Sequence, residues 1–226
     1  LIEKNSNSIR ESHSLKTGEF DREMITSIMF PKLLYSNTLK ILWPYRMVTK
    51  IYNHGFLRKY DIKFVPDLKA AQDYAFSVTA MYFSNTFFYL KDEYLYHYRE
   101  NLQSRTHRFL NDSWKNYNVL NEYFRLILSG NRAYNFQNQL EICKLHGALS
   151  AISYQYKSGR TNKFWYNYKE IKQFVNRLDL NNSIHLIDLK NVEFKKQIYL
   201  VLMKHRCFFL CNLIAYIFYT IQQDKC

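Results

Sequence analysis

The sequence predicts an α+β protein that is mostly helical, with a short β-hairpin in its N-terminal half. Beyond residue 110 the apolar residues recur at helical spacing, whereas a clear strand signal is confined to residues 87–99. A hydrophobic content of 47%, of which aromatic side chains are a large part, is enough to build a core. The 226 residues suit one large domain or a domain with an appendage.

The N-terminal half is expected to alternate helices with loops. Residues 1–18 are polar and are predicted to form a loop or arm. Apolar residues at helical spacing predict a helix over Met24–Met29, which Pro31 should end. A short extended piece is expected at Ile62–Val65, and a helix should begin near Ala70.

The predicted hairpin consists of a strand over Phe87–Leu90, a turn over Lys91–Glu93 and a second strand over Tyr94–Arg99. Because side chains alternate along a strand, His97 and Arg99 share one face of the second strand. Two neighbouring cationic side chains suit phosphate binding, although they are equally compatible with an ordinary solvent-facing strand.

Beyond residue 110 every strong pattern is helical. The stripe from Trp114 to Leu128 stops at Gly130-Asn131, and further helices are expected at 136–156 and 165–178. The apolar segment 194–222 is broken by charged residues at 204–206. We therefore divide the chain into residues 1–110 and a helical extension, residues 111–226.

The last helix carries an unusually broad apolar face. The uncharged run Cys207–Gln223 is shorter than the ~20 residues that span a membrane. His205, Asn212, Tyr216 and Tyr219 fall on one side of the helical wheel, which leaves the other side apolar. Such a face suits docking in a protein core or lying in a membrane interface, and the sequence leaves both open.

The formal net charge of +13 favours an anionic partner, such as nucleic acid, anionic lipid or a phosphorylated substrate. The basic residues are scattered and no zinc-finger spacing is present, so we do not expect nucleic-acid binding. Four cysteines are few for this length and indicate a reducing, cytoplasmic compartment. Cys207 and Cys211 lie in an apolar setting typical of buried structural thiols.

Most ready-made catalytic motifs are missing from the sequence. It contains no Asp-x-Asp pair, no phosphate-binding loop and no His-Glu-x-x-His. Asp73 stands in the first turn of the helix expected near Ala70, where the helix dipole favours a carboxylate whatever its role. Its local setting therefore indicates only a carboxylate at a helix start.

Four stretches of the sequence, taken in their order along the chain, indicate a role for Asp73. Lys50–Leu57 resembles the "K-[LI]-[YF]-x-x-x-[FL]-L" stretch of family 2 glycosyltransferases of the GT-A type, and Phe64 matches the phenylalanine that follows it. Gln72-Asp73-Tyr74 stands where that family has Glu-Asp-Trp or Glu-Asp-Tyr. Tyr94–Asn101, followed by Ser104, resembles the family's "P-L-Y-x-Y-R-x-x-x-x-S" strand and loop.

This resemblance implies an inverting transfer of a sugar from a nucleotide-sugar, with Asp73 as the general base. The family's pattern places His97 and Arg99 near the leaving diphosphate and Ser104 in the loop that follows. Gln72 stands where the family has a glutamate, which changes the chemistry of any acceptor contact there.

The resemblance also implies that the donor-binding half of a GT-A-like domain, with its Mg²⁺ or Mn²⁺ site, would precede Leu1. We therefore expect the C-terminal part of a longer enzyme, with no cofactor held by this chain; a truncated relative without catalysis is the other possibility. The helical extension is similar to the tails of bacterial polysaccharide-assembling transferases, whose acceptors are often lipid-linked. A non-catalytic helical module that binds membrane or protein remains the alternative.

Overall fold

The computed structural model describes residues 2–4, 7–9, 15–42, 45–93, 96, 98–99, 113–154, 156, 164–176 and 183–223. At 2–4, 7–9, 98–99, 153–154 and 219–223 it describes the backbone only. The chain forms two compact units. The N-terminal unit comprises Leu1–Leu33, Trp43–Pro66 and Ala71–Arg108, and the helical unit comprises Leu34–Leu42, Asp67–Ala70 and Phe109–Cys226.

The N-terminal unit contains two small sheets. Strands β1 (Ile2–Lys4) and β2 (Asn7–Ile9) pair antiparallel, and β5 (Tyr98–Arg99) pairs parallel to β1. Strand β3 (Gly18–Phe20) pairs antiparallel with β4 (Phe87–Tyr89). The arm predicted for residues 1–18 therefore contains strands.

The predicted hairpin is wrong in its pairing, because β4 pairs with β3 and β5 pairs with β1. Phe20 stands opposite Phe87, and their rings stack with centroids 4.6 Å apart. This aromatic cross-strand pair stabilises the long-range partnership over the local one. Of the predicted second strand, Tyr94, Leu95 and His97 lie outside the described residues.

The first predicted helix is confirmed. Helix α1 (Arg22–Met24) continues as a π-helical turn over Ile25–Met29 and a 3-10 turn over Phe30–Lys32. Pro31 lies at the start of the 3-10 turn, where its missing N–H removes no hydrogen bond. The Arg22 guanidinium donates hydrogen bonds to the carbonyl oxygens of Tyr82 (2.7 Å) and Ser84 (2.9 Å).

Helix α3 (Gln72–Phe83) supplies buried core residues of this unit, and partly buried residues of α2 (His54–Lys59) pack against them. Every residue of Tyr74–Met81 is buried, and Phe76 packs with Ile62 in the unit's apolar cluster. The helix predicted near Ala70 is confirmed. The segment Ile62–Val65, predicted as a short extended piece, lies in a loop and belongs to neither of the described sheets.

The helical unit is built from α4 (Ser113–Leu128), α5 (Gln137–Tyr154), α6 (Phe164–Val175), α7 (Phe194–Lys204) and α8 (Phe208–Gln223). The predicted helices of this region are confirmed, and the break at 205–207 falls at the charged residues that predicted it. Helix α4 packs extensively on α5, and α8 packs on α5, α6 and α7. A Cβ on Gly147 would lie 3.2 Å from Tyr117 Cβ, so this glycine permits the close approach of α4 and α5.

The sequence left the orientation of the last helix open. His205 lies in the turn before α8, and Asn212 is fully buried. The Asn212 amide accepts a hydrogen bond from the Tyr156 hydroxyl and donates one to the Phe164 carbonyl oxygen (3.0 Å). Among the described helices, none combines the length and apolarity that crossing a bilayer would require.

Candidate functional site

Asp73 lies in the first turn of α3, and its side chain is exposed to solvent. The preceding Ala71 adopts a left-handed conformation (φ 65°, ψ 24°) and provides no side-chain cap. This conformation costs an L-residue about 1–2 kcal/mol. Strained backbone of this kind is concentrated at functional sites, which makes the start of α3 a candidate.

The chain just before Ala71 is held by the helical unit's Asn116, which is buried. Its Oδ1 accepts hydrogen bonds from the backbone N–H of Lys69 (2.8 Å) and of Ala70 (2.9 Å), and its Nδ2 donates to the Ala70 carbonyl oxygen (3.3 Å). One side chain thus fixes both donors ahead of the strained residue. Such side-chain contacts to backbone groups stabilise turns that lack regular hydrogen bonds.

Lys50 provides the cation of the site. Its ammonium group is partly buried and donates a hydrogen bond to the Arg46 carbonyl oxygen (2.9 Å). Burial lowers the pKa of Lys50 to about 8, and the nearby negative charge of Asp73 acts in the opposite direction. The lysine therefore loses its charge around pH 8, and the charge of Asp73 influences this pKa.

Tyr52 and Ser77 form the hydroxyl part of the site. The Tyr52 hydroxyl lies 3.3 Å from Ser77 Oγ, which donates a hydrogen bond to the Tyr45 carbonyl oxygen (2.8 Å). Burial raises the pKa of Tyr52, the hydrogen bond with Ser77 lowers it, and the charge of Asp73 raises it further. Ser77 lies one helical turn after Asp73 on the same side of α3, and it is buried whereas Asp73 is exposed.

The arrangement brings together two stretches that the sequence separates by about twenty residues. A carboxylate, an amine with a lowered pKa and two hydroxyl groups surround the start of α3. Groups of this kind bind and deprotonate hydroxyl-bearing ligands, since a positioned carboxylate accepts a proton and the hydroxyls orient the ligand. We refer to Lys50, Tyr52, Asp73 and Ser77 as the α3 site.

The predicted site residues are only partly described by the structure. Gln72 is partly exposed beside Asp73 in the first turn of α3. Arg99 lies in β5, where the description extends to its backbone alone. His97 and Ser104 lie outside the described residues. The convergence of Asp73 with His97 and Arg99 in one cleft therefore stays a prediction.

Sequence reasoning did not select Lys50, Tyr52 or Ser77 as site residues. A signal for Lys50 was present, because it is a cation that directly precedes the apolar Ile51. Lys50 and Tyr52 also belong to the stretch that resembles the glycosyltransferase family. Ser77 has no such signal, since a serine inside a buried helix is ordinary in sequence.

The cysteines contribute no chemistry to this site. Cys143 and Cys211 are buried, and burial raises the pKa of each thiol to about 12. Cys207 is partly exposed, which departs from the predicted burial of both Cys207 and Cys211. Within the described part of the chain, no group of three His, Cys, Asp or Glu side chains could hold a metal ion, and we assign no metal ligand to it.

A separate polar pocket of about 410 Å³ lies in the helical unit at the connection from α4 to α5. Arg132, Tyr134 and Gln137 are among the residues that line it, and Leu128 and Leu140 contribute apolar atoms. None of the predicted site residues is among those that line it.

Comparison with known proteins adds no assignment: no family model matches the chain, and no curated protein or solved structure shows significant similarity to it.

Proposed function

We propose that this chain is the acceptor-side part of a family 2 glycosyltransferase of the GT-A type. It would transfer a sugar with inversion from a nucleotide-sugar to a glycan acceptor, including lipid-linked ones, in the cytoplasmic steps of cell-surface polysaccharide synthesis. The observation that supports this is the α3 site. Two stretches that resemble the family, Lys50–Leu57 and Gln72–Tyr74, meet around Asp73 in the N-terminal unit.

Asp73 is the general base in this proposal. Its exposed carboxylate accepts the proton of an acceptor hydroxyl while that oxygen forms a bond to the anomeric carbon of the donor. The bond from the anomeric carbon to the nucleoside diphosphate breaks on the opposite side, so the configuration at the sugar inverts. The electron pair of the broken bond leaves with the diphosphate.

The Tyr52 hydroxyl would orient the acceptor. The Tyr52 hydroxyl is held in place by Ser77, whose own hydroxyl is fixed by the Tyr45 carbonyl oxygen. Hydroxyl groups with fixed positions select the orientation of a sugar and place its reacting oxygen near the base. Gln72, next to Asp73, adds an amide that both donates and accepts hydrogen bonds.

Arg99 and His97 would stabilise the departing diphosphate, where a fixed cation offsets developing negative charge. Ser104 would help to order the loop that carries them. The Mg²⁺ or Mn²⁺ that this reaction class uses would be bound by the donor-side half of the enzyme.

The test is acceptor-dependent release of nucleoside diphosphate by the full-length protein, supplied with nucleotide-sugars and with glycan or lipid-linked acceptors. We expect release with one donor class, and its loss in Asp73→Asn. Asp67→Asn, which alters an exposed aspartate outside the α3 site, is the matched control. Failure of the full-length protein to transfer any donor would contradict the proposal.

A further inference from the structure

The most exposed side chains of α8, over the part whose side chains are described, are all apolar, and Tyr216 beside them is partly exposed. Four of its residues are exposed by about two fifths, from 39% at Phe218 to 44% at Leu210. Two more, at 213 and 214, are partly exposed. We call this surface the apolar α8 face; it comprises Phe209, Leu210, Leu213, Ile214, Ile217 and Phe218.

This face exposes apolar side chains to water, whereas a polar side chain of the same helix is buried. A helix that packs on a protein core normally turns its polar side chains outward. In α8 the polar Asn212 is fully buried, together with Cys211, and the apolar side chains are the ones that remain exposed. A contiguous exposed apolar surface of this kind marks a site of interaction.

Trp165 extends the same surface from α6. Its side chain is 65% exposed, and its ring centroid lies 6.2 Å from that of Phe209. Tryptophan combines a large apolar ring with one N–H donor, and it is therefore enriched at the boundary between lipid and water.

The charges around the face are mainly positive, and in the sequence Glu193, which pairs with Lys196, and Asp224 flank its two helices. Residues 194–223, which form α7 and α8, include three lysines and one arginine but no aspartate or glutamate. Lys204 and Arg206 are exposed immediately before α8 begins, and the Lys195 ammonium lies 4.5 Å from the centroid of the Phe218 ring. Cations thus lie at both ends of the described part of the face.

We propose that the apolar α8 face docks on an anionic lipid bilayer, with the helix lying in the membrane interface. One side of α8 is packed on the helical unit, so only the opposite side can enter lipid, as in an interfacial amphipathic helix. The cations at its ends attract anionic headgroups. A second copy of the chain would fit less well, because it would bring two mainly positive surfaces together. The inference is independent of the proposed glycosyl transfer.

Vesicle flotation tests this directly. The full-length protein should float with phosphatidylcholine vesicles that contain phosphatidylglycerol, and binding should weaken as salt rises from low to high concentration. Leu210→Glu or Ile217→Glu should weaken binding more than tenfold. Leu126→Glu, which alters a leucine on α4 that is 71% exposed, is the matched control and should leave binding unchanged.

The cations and the tryptophan provide two further measurements. Lys204→Ala and Arg206→Ala should each weaken binding to anionic vesicles about fivefold, since a basic residue near such a surface contributes ~1 kcal/mol. Brominated lipids should quench the fluorescence of the wild-type protein, and this quenching should largely disappear in Trp165→Phe. The quenching measurement does not depend on whether the glutamate variants fold.

Several results would overturn the proposal. Equal binding to vesicles with and without phosphatidylglycerol would exclude the charge argument. An equal loss of vesicle binding in Leu126→Glu and Leu210→Glu would show that binding does not depend on the apolar α8 face. A wild-type dimer in light scattering that Leu210→Glu converts to a monomer would assign the face to a second copy of the chain.

Discussion

Replacing Lys50 with methionine should remove one specific dependence of stability on pH. Burial lowers the pKa of Lys50 from 10.5 to about 8. The folded protein therefore releases this proton at a lower pH than the unfolded chain does. As a result, this lysine makes the free energy of unfolding rise with pH between about 8 and 10.5, and its unfavourable effect is fully present below pH 8.

The size of the effect follows from the two pKa values. A tenfold change in proton affinity corresponds to about 1.4 kcal/mol, so the difference between 10.5 and about 8 sets an upper limit near 3.4 kcal/mol. Lys50 is only partly buried, and water that reaches its ammonium group reduces this to about 2 kcal/mol. Methionine retains the apolar stem and removes the titrating group.

The assay is urea denaturation of wild type and Lys50→Met at a series of pH values from 7 to 10.5. Tyrosines such as Tyr52 titrate in both proteins, so the difference between their free energies of unfolding isolates Lys50. That difference should grow by about 2 kcal/mol in favour of the wild type as pH rises. Lys59→Met, which alters an exposed lysine on α2, should give a nearly constant difference. Parallel curves for wild type and Lys50→Met would refute the burial argument.

Three further predictions concern the start of α3 and the helical unit. Asn116→Ala should lower the free energy of unfolding by about 2 kcal/mol in urea denaturation, because it leaves the backbone donors of Lys69 and Ala70 without their acceptor; an unchanged midpoint would contradict this. Ala71→Gly should raise the free energy of unfolding by about 0.5–1 kcal/mol, since glycine adopts the left-handed conformation without strain. A loss of stability would show that the conformation is not strained. Burial lowers the pKa of His146 to about 3. The free energy of unfolding of the wild type should therefore fall by up to about 1.4 kcal/mol per pH unit below pH 6.5, and that of His146→Phe should depend less on pH between 6.5 and 4.

The helices of the helical unit could be predicted because their signals are local. In α4 the apolar stripe positions Trp114, Leu120, Phe124 and Leu128 on the buried side, and all four are buried. The break before α8 was visible as a charged interruption of an apolar run. Periodicity and charge are properties of neighbouring residues, so no knowledge of the tertiary structure is needed to interpret them.

Strand pairing could not be predicted in the same way. The segment around Phe87 shows the alternation of a strand, but its partner lies near Phe20, far away in the sequence. A turn over Lys91–Glu93 made the local hairpin look favourable. Which pairing forms depends on side-chain packing across the sheet, such as the stacked rings of Phe20 and Phe87, and the sequence does not display it.

The orientation of α8 could not be predicted for a related reason. The helical wheel separated a side with Asn212 from an apolar side, but it did not show which side packs on the rest of the protein. The fold buries Asn212 because the Tyr156 hydroxyl and the Phe164 carbonyl oxygen satisfy its amide. A buried polar side chain with complete hydrogen bonds is stable, and its partners come from distant segments.

The position of Asp73 at a helix start could be predicted from the sequence, but the residues around it could not. Asp73 stands at a helix start in both sequence and structure, and the order of motifs singled it out. The lowered pKa of Lys50 and the Tyr52–Ser77 contact depend on burial and on the approach of residues 45–52 to α3. Both are tertiary properties, so only the structure shows that Asp73 has these neighbours.

The measurement that tests the central claim most directly is the transfer rate of Asp73→Asn set against its affinity for the nucleotide-sugar, in the full-length protein. If Asp73 is the general base, transfer should fall by about 10²- to 10⁴-fold while donor affinity stays near the wild-type value. Asp67→Asn should retain both the wild-type transfer rate and the wild-type donor affinity. Transfer by Asp73→Asn at the wild-type rate would show that Asp73 is not the base and would leave it as a carboxylate at a helix start.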